Sequence, residues 1–473
     1  MAGAGIGSCS KEVVAPDAPE DNVVTLNTTV SLAETRALDA DGKKTFKAGD
    51  MIAVIYEDQS GEMVKTESAE LPEGDYGRSA TFTVTLTNPK GSGDLSIIYP
   101  AAMAKADGSV NYEALATQDG SLTSLGENLD LAMYEGALTA GAELPETIAL
   151  TNRLTICAFT LKSSDGTSEI TGSITGFWVN DGTNSYYVSR AAAAGPVYVV
   201  LRPVEGVDIH YTARSGDCYY VKTVTDKTYA ANTLYPLGLR MTALPQGILP
   251  GQFSVSSTDQ VNFSKGNLQY VGTTWQFAAN QLDFLGDTQM DDNRDLFGWG
   301  TGTAPNQVAV DYTQYGSFSE WGANAVSNGG NVASLWRTLS RTEWMYLFNS
   351  RSGNRFAKAT VGGVHGVILL PDDWDTSYFQ LDQTNNEYAG FTSNQITSSV
   401  WESCLEVHGA VFLPLAGIRG GTSVSSVLGG YWASTSSSDN YADCLYFTSY
   451  SLSSANTLDR SSGLSVRLVR AVE

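Results

Sequence analysis

Apolar and polar residues alternate in short segments of the first part of the chain. In residues 24–32 every valine and leucine occupies an even-numbered position, with Thr, Asn or Ser between them, and residues 81–86 repeat this two-residue period. Residues 51–56 form a short run dominated by apolar side chains. Alternation with period two predicts strands with one buried face, and a short apolar run predicts a strand buried on both faces.

The same pattern continues in the middle of the chain. Strand-like segments occur at residues 152–161, 197–201, 219–224 and 234–239. Residues 244–251 then hold two prolines and two glycines, which interrupt strands and restrict the bending of a linker. We therefore expect a domain boundary at this segment.

A helix is predicted inside the last part of the chain. Ser340 and Glu343 have the spacing of a capping box, in which each side chain binds the backbone N–H of the other residue. Trp344, Leu347 and Phe348 follow at helical spacing. We expect a short amphipathic helix that ends near residue 351.

The terminal segment, residues 429–473, combines strand-like ends with a polar centre. Val466 and Leu468 are expected on one strand face and Arg467 on the other. About thirty residues before them are rich in Ser, Thr, Asn, Asp and Tyr, and such residues suit a contact surface because Tyr adds rigid area and Ser and Asn add adaptable hydrogen bonds. A solvated loop between two strands is the alternative.

Composition narrows the class of protein. A chain of 473 residues is too long for one core, so roughly two to four domains are expected. The formal net charge of −23 opposes binding to phosphates, which excludes a nucleic-acid partner. The charged fraction of 17% and the 47 glycines favour an exported protein of short strands and tight turns. No apolar run approaches the roughly 18 residues of a membrane-spanning helix.

Candidate chemistry is sparse. The three histidines are scattered and no pair of cysteines has the CxxC spacing, so we expect no metal site and no cofactor. Two disulfides, Cys157 with Cys218 and Cys404 with Cys444, and free thiols both remain open. No nucleophile signature, phosphate-binding loop or dinucleotide fingerprint occurs, so we expect no enzymatic activity.

The first residues suggest export. Residues 6–12, Ile-Gly-Ser-Cys-Ser-Lys-Glu, resemble a bacterial lipobox followed by a mature lipoprotein start, which implies lipidation of Cys9. A polar tether at 11–21 follows. Residues 1–5 depart from the pattern because they contain neither a basic region nor an adequate apolar region. A disordered tail with an incidental cysteine is the alternative.

The next segments resemble the fimbrillins, lipoprotein-derived pilins of Gram-negative anaerobes. The resemblance lies in the strand at 24–32, Arg36 with the small Ala37 after it, and a Gly-Asp-x-Ile-x-Val strand at 49–54. It implies cleavage after Arg36, removal of the first strand, and acceptance of a strand from another pilin subunit in its place. Such β-augmentation derives affinity from main-chain hydrogen bonds and register from alternate side chains.

Weaker motifs extend this resemblance to the second predicted sandwich. Asn152 and Leu154 match the Asn-x-Leu that opens its sheet, and residues 235–237 match the Tyr-Pro-Leu of its closing strand. A stalk fimbrillin would end near the position of residue 245 with a donor strand for its neighbour. This chain instead continues for more than 200 residues. We therefore expect a subunit that accepts a strand and caps a fibre.

The last part resembles the C-type-lectin-like domains of formylglycine-generating enzymes and of variable proteins made by diversity-generating retroelements. Ordered motifs carry the resemblance: the capping-box helix, apolar strands at 364–371 and 412–420, Tyr-Trp-Ala-Ser at 431–434 and Ser-Val-Arg at 465–467. The resemblance implies that residues between the last two motifs are diversified and form the ligand surface.

The resemblance, applied to each position of this sequence, implies two groups of residues: scaffold residues and ligand-contacting residues. The scaffold residues are Trp432, Leu445, Phe447, Val466 and Leu468. The exposed ligand-binding residues are Ser434, Ser436, Ser438, Asn440, Tyr441, Tyr446, Thr448 and Tyr450. Plain solvated polar residues are the alternative for each of them.

Two departures limit what the lectin resemblance implies. The Glu-Pro-Asn, Gln-Pro-Asp and Trp-Asn-Asp clusters that hold calcium in sugar-binding lectins do not occur in the last domain, so we expect no calcium-mediated sugar binding. The enzyme branch uses cysteines, for which Cys404 and Cys444 are the candidates. Neither residue lies in a recognisable activating environment.

Together these patterns predict a mostly β protein. After a lipoprotein start and tether (1–21), we expect two tandem transthyretin-like fimbrillin β-sandwiches (22–143 and 144–245) and an α+β C-type-lectin-like ligand-binding domain (246–473). The predicted function is that of a cell-surface adhesin, a pilus tip subunit with other pilin subunits and a host or bacterial surface glycan or protein as partners. Membrane contact is expected only through a lipid anchor before processing.

Two other functions remain open. The first is an outer-membrane lipoprotein that binds a glycan or a protein without polymerising. The second is an oxidase of the formylglycine-generating kind.

Overall fold

The computed structural model describes residues 22–32, 45–129, 131–139, 141–286, 292–307 and 311–472. The predicted lipidation site Cys9 and the predicted processing site at Arg36 and Ala37 lie outside the described residues. The fold is mostly β, as expected, and its residues fall into two compact units.

The first unit contains a seven-stranded sheet. Strands β1 to β8 span Val23–Leu32, Ala53–Glu57, Met63–Glu67, Ser79–Thr87, Asp94–Tyr99, Thr117–Gln118, Ala132–Ala137 and Thr147–Asn152. All of them except β6 belong to this sheet, in the order β3-β2-β5-β7-β8-β1-β4. The strands predicted at 24–32, 51–56 and 81–86 are confirmed as β1, β2 and β4.

Strand β1 lies inside this sheet and not at its edge. It pairs antiparallel with β4 from Val23 to Ser31 and parallel with β8 from Thr29 to Leu32. Its even-numbered side chains point inward, and Val30 and Leu32 belong to the same buried cluster as residues of β4 and β8. The polar Thr28 is also buried and donates a hydrogen bond to the carbonyl of Pro145 at 3.1 Å.

The second sheet begins the other compact unit. Strands β9 to β15 span Thr155–Ser163, Gly176–Asn180, Ser185–Ser189, Val197–Leu201, Val204–Ser215, Cys218–Tyr229 and Thr233–Ala243. With β6 they form an eight-stranded sheet in the order β12-β9-β15-β14-β13-β10-β11-β6. Phe159 packs edge-on against Phe177 and Tyr211 at ring distances of 5.0 and 5.5 Å.

Two strands lie on the other side of the expected 143/144 boundary. Strand β8 pairs with β1 and β7 and therefore belongs to the first sheet. Strand β6 precedes the boundary but pairs with β11 of the second sheet. The expected boundary therefore does not match the sheet membership of β6 and β8. Periodicity identifies a strand but carries no information about the sheet that it joins.

The last part of the second unit is built from short strands in several small sheets. Strands β16 to β31 span Phe253–Ser254, Gln260–Phe263, Leu268–Val271, Thr274–Phe277, Asn293–Arg294, Arg337–Thr338, Phe356–Val361, Val364–Leu369, Gln395–Ile396, Val411–Pro414, Ile418–Gly420, Ser423–Ser425, Gly429–Ser436, Tyr441–Phe447, Leu452–Asp459 and Leu468–Ala471. Strand β31 lies between β17 and β21, so the start and the end of this part meet in one sheet.

Helices are short throughout the described residues. Helices α1 to α3 span Leu122–Asn128, Arg341–Met345 and Ser398–Val400, and π-helical turns at Tyr346–Ser350 and Trp401–Leu405 extend the last two. Single 3₁₀ turns span Ala101–Met103, Glu113–Ala116, Thr171–Ser173, Tyr312–Gln314, Trp321–Ala323, Phe391–Ser393 and Glu406–His408.

The predicted capping-box helix is confirmed as α2. The Ser340 hydroxyl accepts a hydrogen bond from the Glu343 backbone N–H at 3.3 Å, and the Glu343 carboxylate accepts one from the Ser340 N–H at 2.7 Å. Trp344 is fully buried with Leu347 and Phe348. The helix ends with its π turn at Ser350, close to the expected residue 351.

Arg467 does not occupy a solvent-exposed strand face. Its side chain is only 1% exposed, and its guanidinium donates a hydrogen bond to Gln281 Oε1 at 2.7 Å. Gln281 in turn donates to Glu406 Oε1 at 2.9 Å. Burial lowers the pKa of Arg467 to about 10. The two terminal guanidinium nitrogens have hydrogen-bond partners inside the protein, whereas the buried Nε has none among the described residues. Alternation alone could not reveal this network.

The expected linker at 244–251 is packed. Leu249 is buried in a cluster that also contains Tyr219 of β14 and Phe253 of β16, and Leu244 packs against that cluster. An ion pair joins Lys265 to Asp217 at 2.7 Å. The second sheet and the last part of the chain therefore share a core and belong to one compact unit.

A half-buried histidine lies where these two parts meet. The His408 ring stacks on Tyr378 with 3.9 Å between ring centroids, and its Nε2 lies 3.4 Å from the Ser185 hydroxyl. Burial, with a smaller contribution from the nearby His210, lowers the pKa of His408 from 6.5 to about 4. His408 is therefore neutral at pH 7.

This shift predicts loss of stability in acid. The unfolded chain protonates His408 below about pH 6.5, whereas the folded protein resists protonation until about pH 4. The free energy of unfolding should therefore fall as the pH falls between these values, by up to about 3 kcal/mol from this group. In urea denaturation, H408F should keep the stacked ring and lose this part of the pH dependence. Parallel pH profiles of the two proteins would contradict the assignment.

Candidate functional site

The predicted ligand segment forms an antiparallel meander. Strand β29 pairs with β28 on one side and β30 on the other, with irregular register in both pairs. The expected scaffold side chains are all buried in the described structure: Trp432, Leu445, Phe447, Val466 and Leu468. The polar residues of the segment lie mainly at the two ends of the meander.

The eight predicted contact residues do not form one surface. Ser436, Ser438, Asn440 and Tyr441 lie at or beside the β28–β29 hairpin, which we call the hairpin tip (residues 436–441). Thr448 and Tyr450 lie in the turn between β29 and β30, while Ser434 and Tyr446 lie within strands. Seven residues of β29 separate the two ends, a distance of about 20 Å.

Side-chain exposure differs within the set. Ser436, Ser438, Tyr441 and Tyr450 are exposed, whereas Ser434, Asn440 and Tyr446 are half-buried. Thr448 departs from the expectation of exposure because it is buried. Its hydroxyl accepts hydrogen bonds from the backbone N–H groups of Tyr450 and Ser451 at 3.1 and 3.2 Å. Thr448 thus shapes the turn.

The hairpin tip is held in one conformation. The Ser438 hydroxyl accepts hydrogen bonds from the N–H groups of Asn440 and Tyr441 at 3.3 and 3.2 Å. Arg460 donates from Nη2 to the Ser438 carbonyl at 2.7 Å and from its backbone N–H to the Asn440 carbonyl at 3.0 Å. A rigid loop loses little conformational entropy on binding.

Arg460 is the anchor that the sequence did not reveal. Its guanidinium lies over the Trp299 ring at 4.4 Å, and the Trp299 indole donates to the Ala433 carbonyl at 2.9 Å. Arg460 Nη1 also donates to the Gly316 carbonyl at 3.4 Å, which brings residues 311–318 beside the hairpin tip. Only an isolated arginine in a hydroxyl-rich segment could have drawn attention to this position.

The described cysteines carry no sign of catalytic activation. Neither of the two possible disulfides, Cys157 with Cys218 and Cys404 with Cys444, is formed. Burial, with a smaller contribution from Asp443, raises the pKa of Cys444 to about 12. Its thiol therefore stays protonated at neutral pH, whereas a nucleophile needs the thiolate.

Among the described residues, no group of three or more His, Cys, Asp and Glu side chains is placed to hold a metal ion. No helix in the same part of the chain is long and apolar enough to cross a bilayer.

Similarity to known proteins is confined to solved structures, since no protein-family model and no curated protein matches the chain. A fimbrial protein from Bacteroides ovatus is 11% identical, with a TM-score of 0.24, over 95% of this chain and 99% of its own. A fimbrial assembly protein from Parabacteroides distasonis is 11% identical, with a TM-score of 0.27, over 52% of this chain and 96% of its own.

A third similar structure is the tip fimbrial protein from Porphyromonas gingivalis with C-terminal truncation. It is 10% identical, with a TM-score of 0.24, and the match covers 43% of this chain and 81% of that one. TM-scores of this size do not establish a common fold, so the function proposed below depends on the geometry of the chain itself.

The anchoring of the hairpin tip leads to a prediction. In R460A, the amide protons of residues 437–441 should exchange with solvent about tenfold faster, because a charge-assisted hydrogen bond and the cation–π contact are lost. The measurement is native-state hydrogen exchange by mass spectrometry. R341A, which loses an ion pair of 3.0 Å to Asp443 near the same strands, is the matched control and should not affect those amides. Unchanged exchange in R460A would contradict the anchoring role.

Proposed function

We propose that this protein is a cell-surface adhesin that caps a fimbrial fibre. Its first sandwich accepts a donor strand from another pilin subunit, and its last domain binds a ligand on the cell surface of a host or another bacterium. The observation that carries the proposal is the position of β1, which completes the first sheet between β4 and β8.

Strand β1 has the properties of a replaceable element. Its contacts with β4 and β8 are main-chain hydrogen bonds and alternate apolar side chains, with side-chain hydrogen bonds such as that from Thr83 to Asn27 at 2.7 Å on the outward face. A strand of similar pattern can reproduce them. Arg36, the proposed processing residue, lies only four positions after the end of β1. Cleavage there would leave β1 held by non-covalent contacts alone.

The last strand of the described chain supports a capping position. Strand β31 pairs with β17 on one side and β21 on the other, and Leu468 and Val469 are buried. A strand that is paired on both sides and packed in its own core is not free to complete a neighbouring subunit. The protein would therefore accept a strand without offering β31 as a donor.

The proposed ligand surface is the hairpin tip with its neighbouring loop at 311–318. It combines exposed hydroxyl groups with Tyr441 on a backbone that Arg460 fixes, the arrangement expected of an adaptable polar contact surface. Diversification of the underlying coding region by a retroelement is part of the proposal. It would be supported by a nearby genomic near-copy of the coding region for residues 429–470 that differs at adenines.

The two alternative functions make different demands on the chain. A non-polymerising lipoprotein would keep β1 and a lipid on Cys9 in its mature form. An oxidase would require a reactive thiol, and the buried Cys444, whose pKa is raised to about 12, does not favour that role. A C404A/C444A double variant that retains ligand binding and surface assembly would remove the oxidase alternative.

Strand replacement can be tested with a cleavable form of the protein. A specific protease site between Leu32 and Phe46 would cut the connection after β1, and a fluorescent peptide of residues 23–32 would then be added. We expect the peptide to exchange into the cut protein, and not into the uncut one, because the groove between β4 and β8 becomes available. Fluorescence anisotropy measures the exchange, and circular dichroism shows that the cut protein remains folded.

Matched peptides make the test specific. Replacing the inward Val24, Leu26, Val30 and Leu32 with serine should abolish exchange, while replacing the outward Asn27 and Thr29 with serine should preserve it. Equal binding of the two peptides, or the absence of exchange into a folded cut protein, would contradict strand replacement.

A further inference from the structure

Two tyrosines stand out among the exposed side chains of the last domain. Tyr388 is 78% exposed and Tyr450 is 77% exposed, more than any other large hydrophobic side chain in the described residues. The large indole rings of Trp321 and Trp344 in the same domain are, in contrast, fully buried. A single exposed aromatic residue is ordinary on a protein surface, whereas two neighbouring ones indicate a contact site.

The two tyrosines come from distant segments that meet in the fold. The loop of Tyr388 reaches the turn of Tyr450 at Gly390, where an added methyl group would lie 3.9 Å from the Ser449 carbonyl oxygen. Chain geometry then limits the distance between the Cα atoms of the two tyrosines to about 15 Å. The two tyrosines are therefore close enough for one short oligosaccharide to reach both.

Both tyrosines have a fixed backbone. The Tyr388 N–H donates to the Asn386 side chain at 3.0 Å, and the Tyr450 N–H donates to the Thr448 hydroxyl at 3.1 Å. Below the turn, the buried Lys358 ammonium donates to the Thr448 carbonyl at 3.1 Å. Because these hydrogen bonds restrain the two loops, little conformational entropy is lost when the rings engage a ligand.

The charge of the site selects against anionic ligands. Lys358 is fully buried, so its ammonium does not reach the surface, and the half-buried Glu387 beside Tyr388 is acidic. The chain as a whole carries a formal net charge of −23. An acidic saccharide or nucleic acid would therefore be repelled.

The size of the site selects against a protein partner. Two tyrosine side chains bury at most roughly 500 Å², whereas each side of a stable protein–protein interface buries about 800 Å². The surrounding exposed or half-buried side chains are polar, among them Gln383 and Thr392. A tyrosine ring has an apolar face for the C–H groups of a sugar and a polar tip for its hydroxyls.

We propose that Tyr388 and Tyr450 form a platform that binds a neutral oligosaccharide by stacking. This site is separate from the hairpin tip, about 20 Å away along β29, and it requires no calcium. It deepens the proposed adhesin function by naming a ligand class, but it does not depend on strand replacement in the first sandwich.

Isothermal titration of the full chain with defined hexasaccharides tests the proposal. The probes are neutral β-1,4-glucan, α-1,4-glucan, β-1,4-xylan and α-1,6-mannan hexasaccharides, with hexagalacturonate as the anionic comparison. At least one neutral probe should bind, and Y388A and Y450A should each weaken that binding about tenfold, as expected when a stacking residue at the centre of a site is truncated. Y388F and Y450F keep the rings and should retain most of the affinity.

Control experiments separate binding at this platform from general changes to the protein surface and from strand replacement. V427A alters another exposed apolar side chain of the domain, outside both proposed contact surfaces, and should not change saccharide binding. Failure of every neutral probe to bind, tighter binding of hexagalacturonate, or full binding by the Y388A/Y450A variant would each overturn the proposal. The β1 peptide exchange on the same variants should be unaffected, so failure of the platform and failure of strand replacement remain distinguishable.

Discussion

The pairing of β1 with β4 and β8 is the contact on which this account of the protein depends. The strand pairs with both neighbours and contributes to the buried core beside the first sheet. Val30 and Leu32 close the core, and Thr28 adds a hydrogen bond to a neighbouring loop. Removal of this strand would expose the apolar side chains of the first sheet that it covers, which is costly in water.

The second unit contains buried polar contacts in addition to an apolar core. Its last part contains a buried polar network in which Gln281 joins Glu406 to Arg467, and it shares an apolar cluster with the second sheet through Tyr219. Breaking one member of such a network leaves buried charges without partners, which is costly. The network therefore favours a single arrangement of the short strands and gives the surface turns a rigid base.

Rigid support distinguishes the two candidate contact sites from ordinary loops. Arg460 fixes the hairpin tip through two backbone carbonyls, and Thr448 together with Lys358 fixes the turn of Tyr450. In both places a buried or half-buried cation binds main-chain oxygen atoms and leaves the exposed side chains free. Such sites can vary their exposed residues without changing the fold that presents them.

Local patterns predicted the local structure well. Period-two alternation found β1 and β4, and the Ser340 and Glu343 spacing found α2, because these signals arise from contacts within a few residues. Partners distant in sequence were not predictable in this way. The membership of β6 and β8 in their sheets, and the burial of Arg467 beside Gln281, depend on residues far along the chain.

The arrangement of the candidate site also depends on contacts between residues distant in sequence. The terminal segment was recognised as polar and aromatic, but strand lengths place its residues at two ends of a meander, and Thr448 is buried. Tyr388 lies outside that segment, and only the contact between Gly390 and Ser449 brings it near Tyr450. No local pattern encodes such a contact.

The mature N-terminus of the protein in assembled surface fibres tests the central claim most directly. Mass spectrometry of fibres purified from intact cells should find a chain that begins at Ala37 and lacks β1. A chain in the fibres that still begins at a lipid-modified Cys9, with β1 in place, would contradict strand replacement.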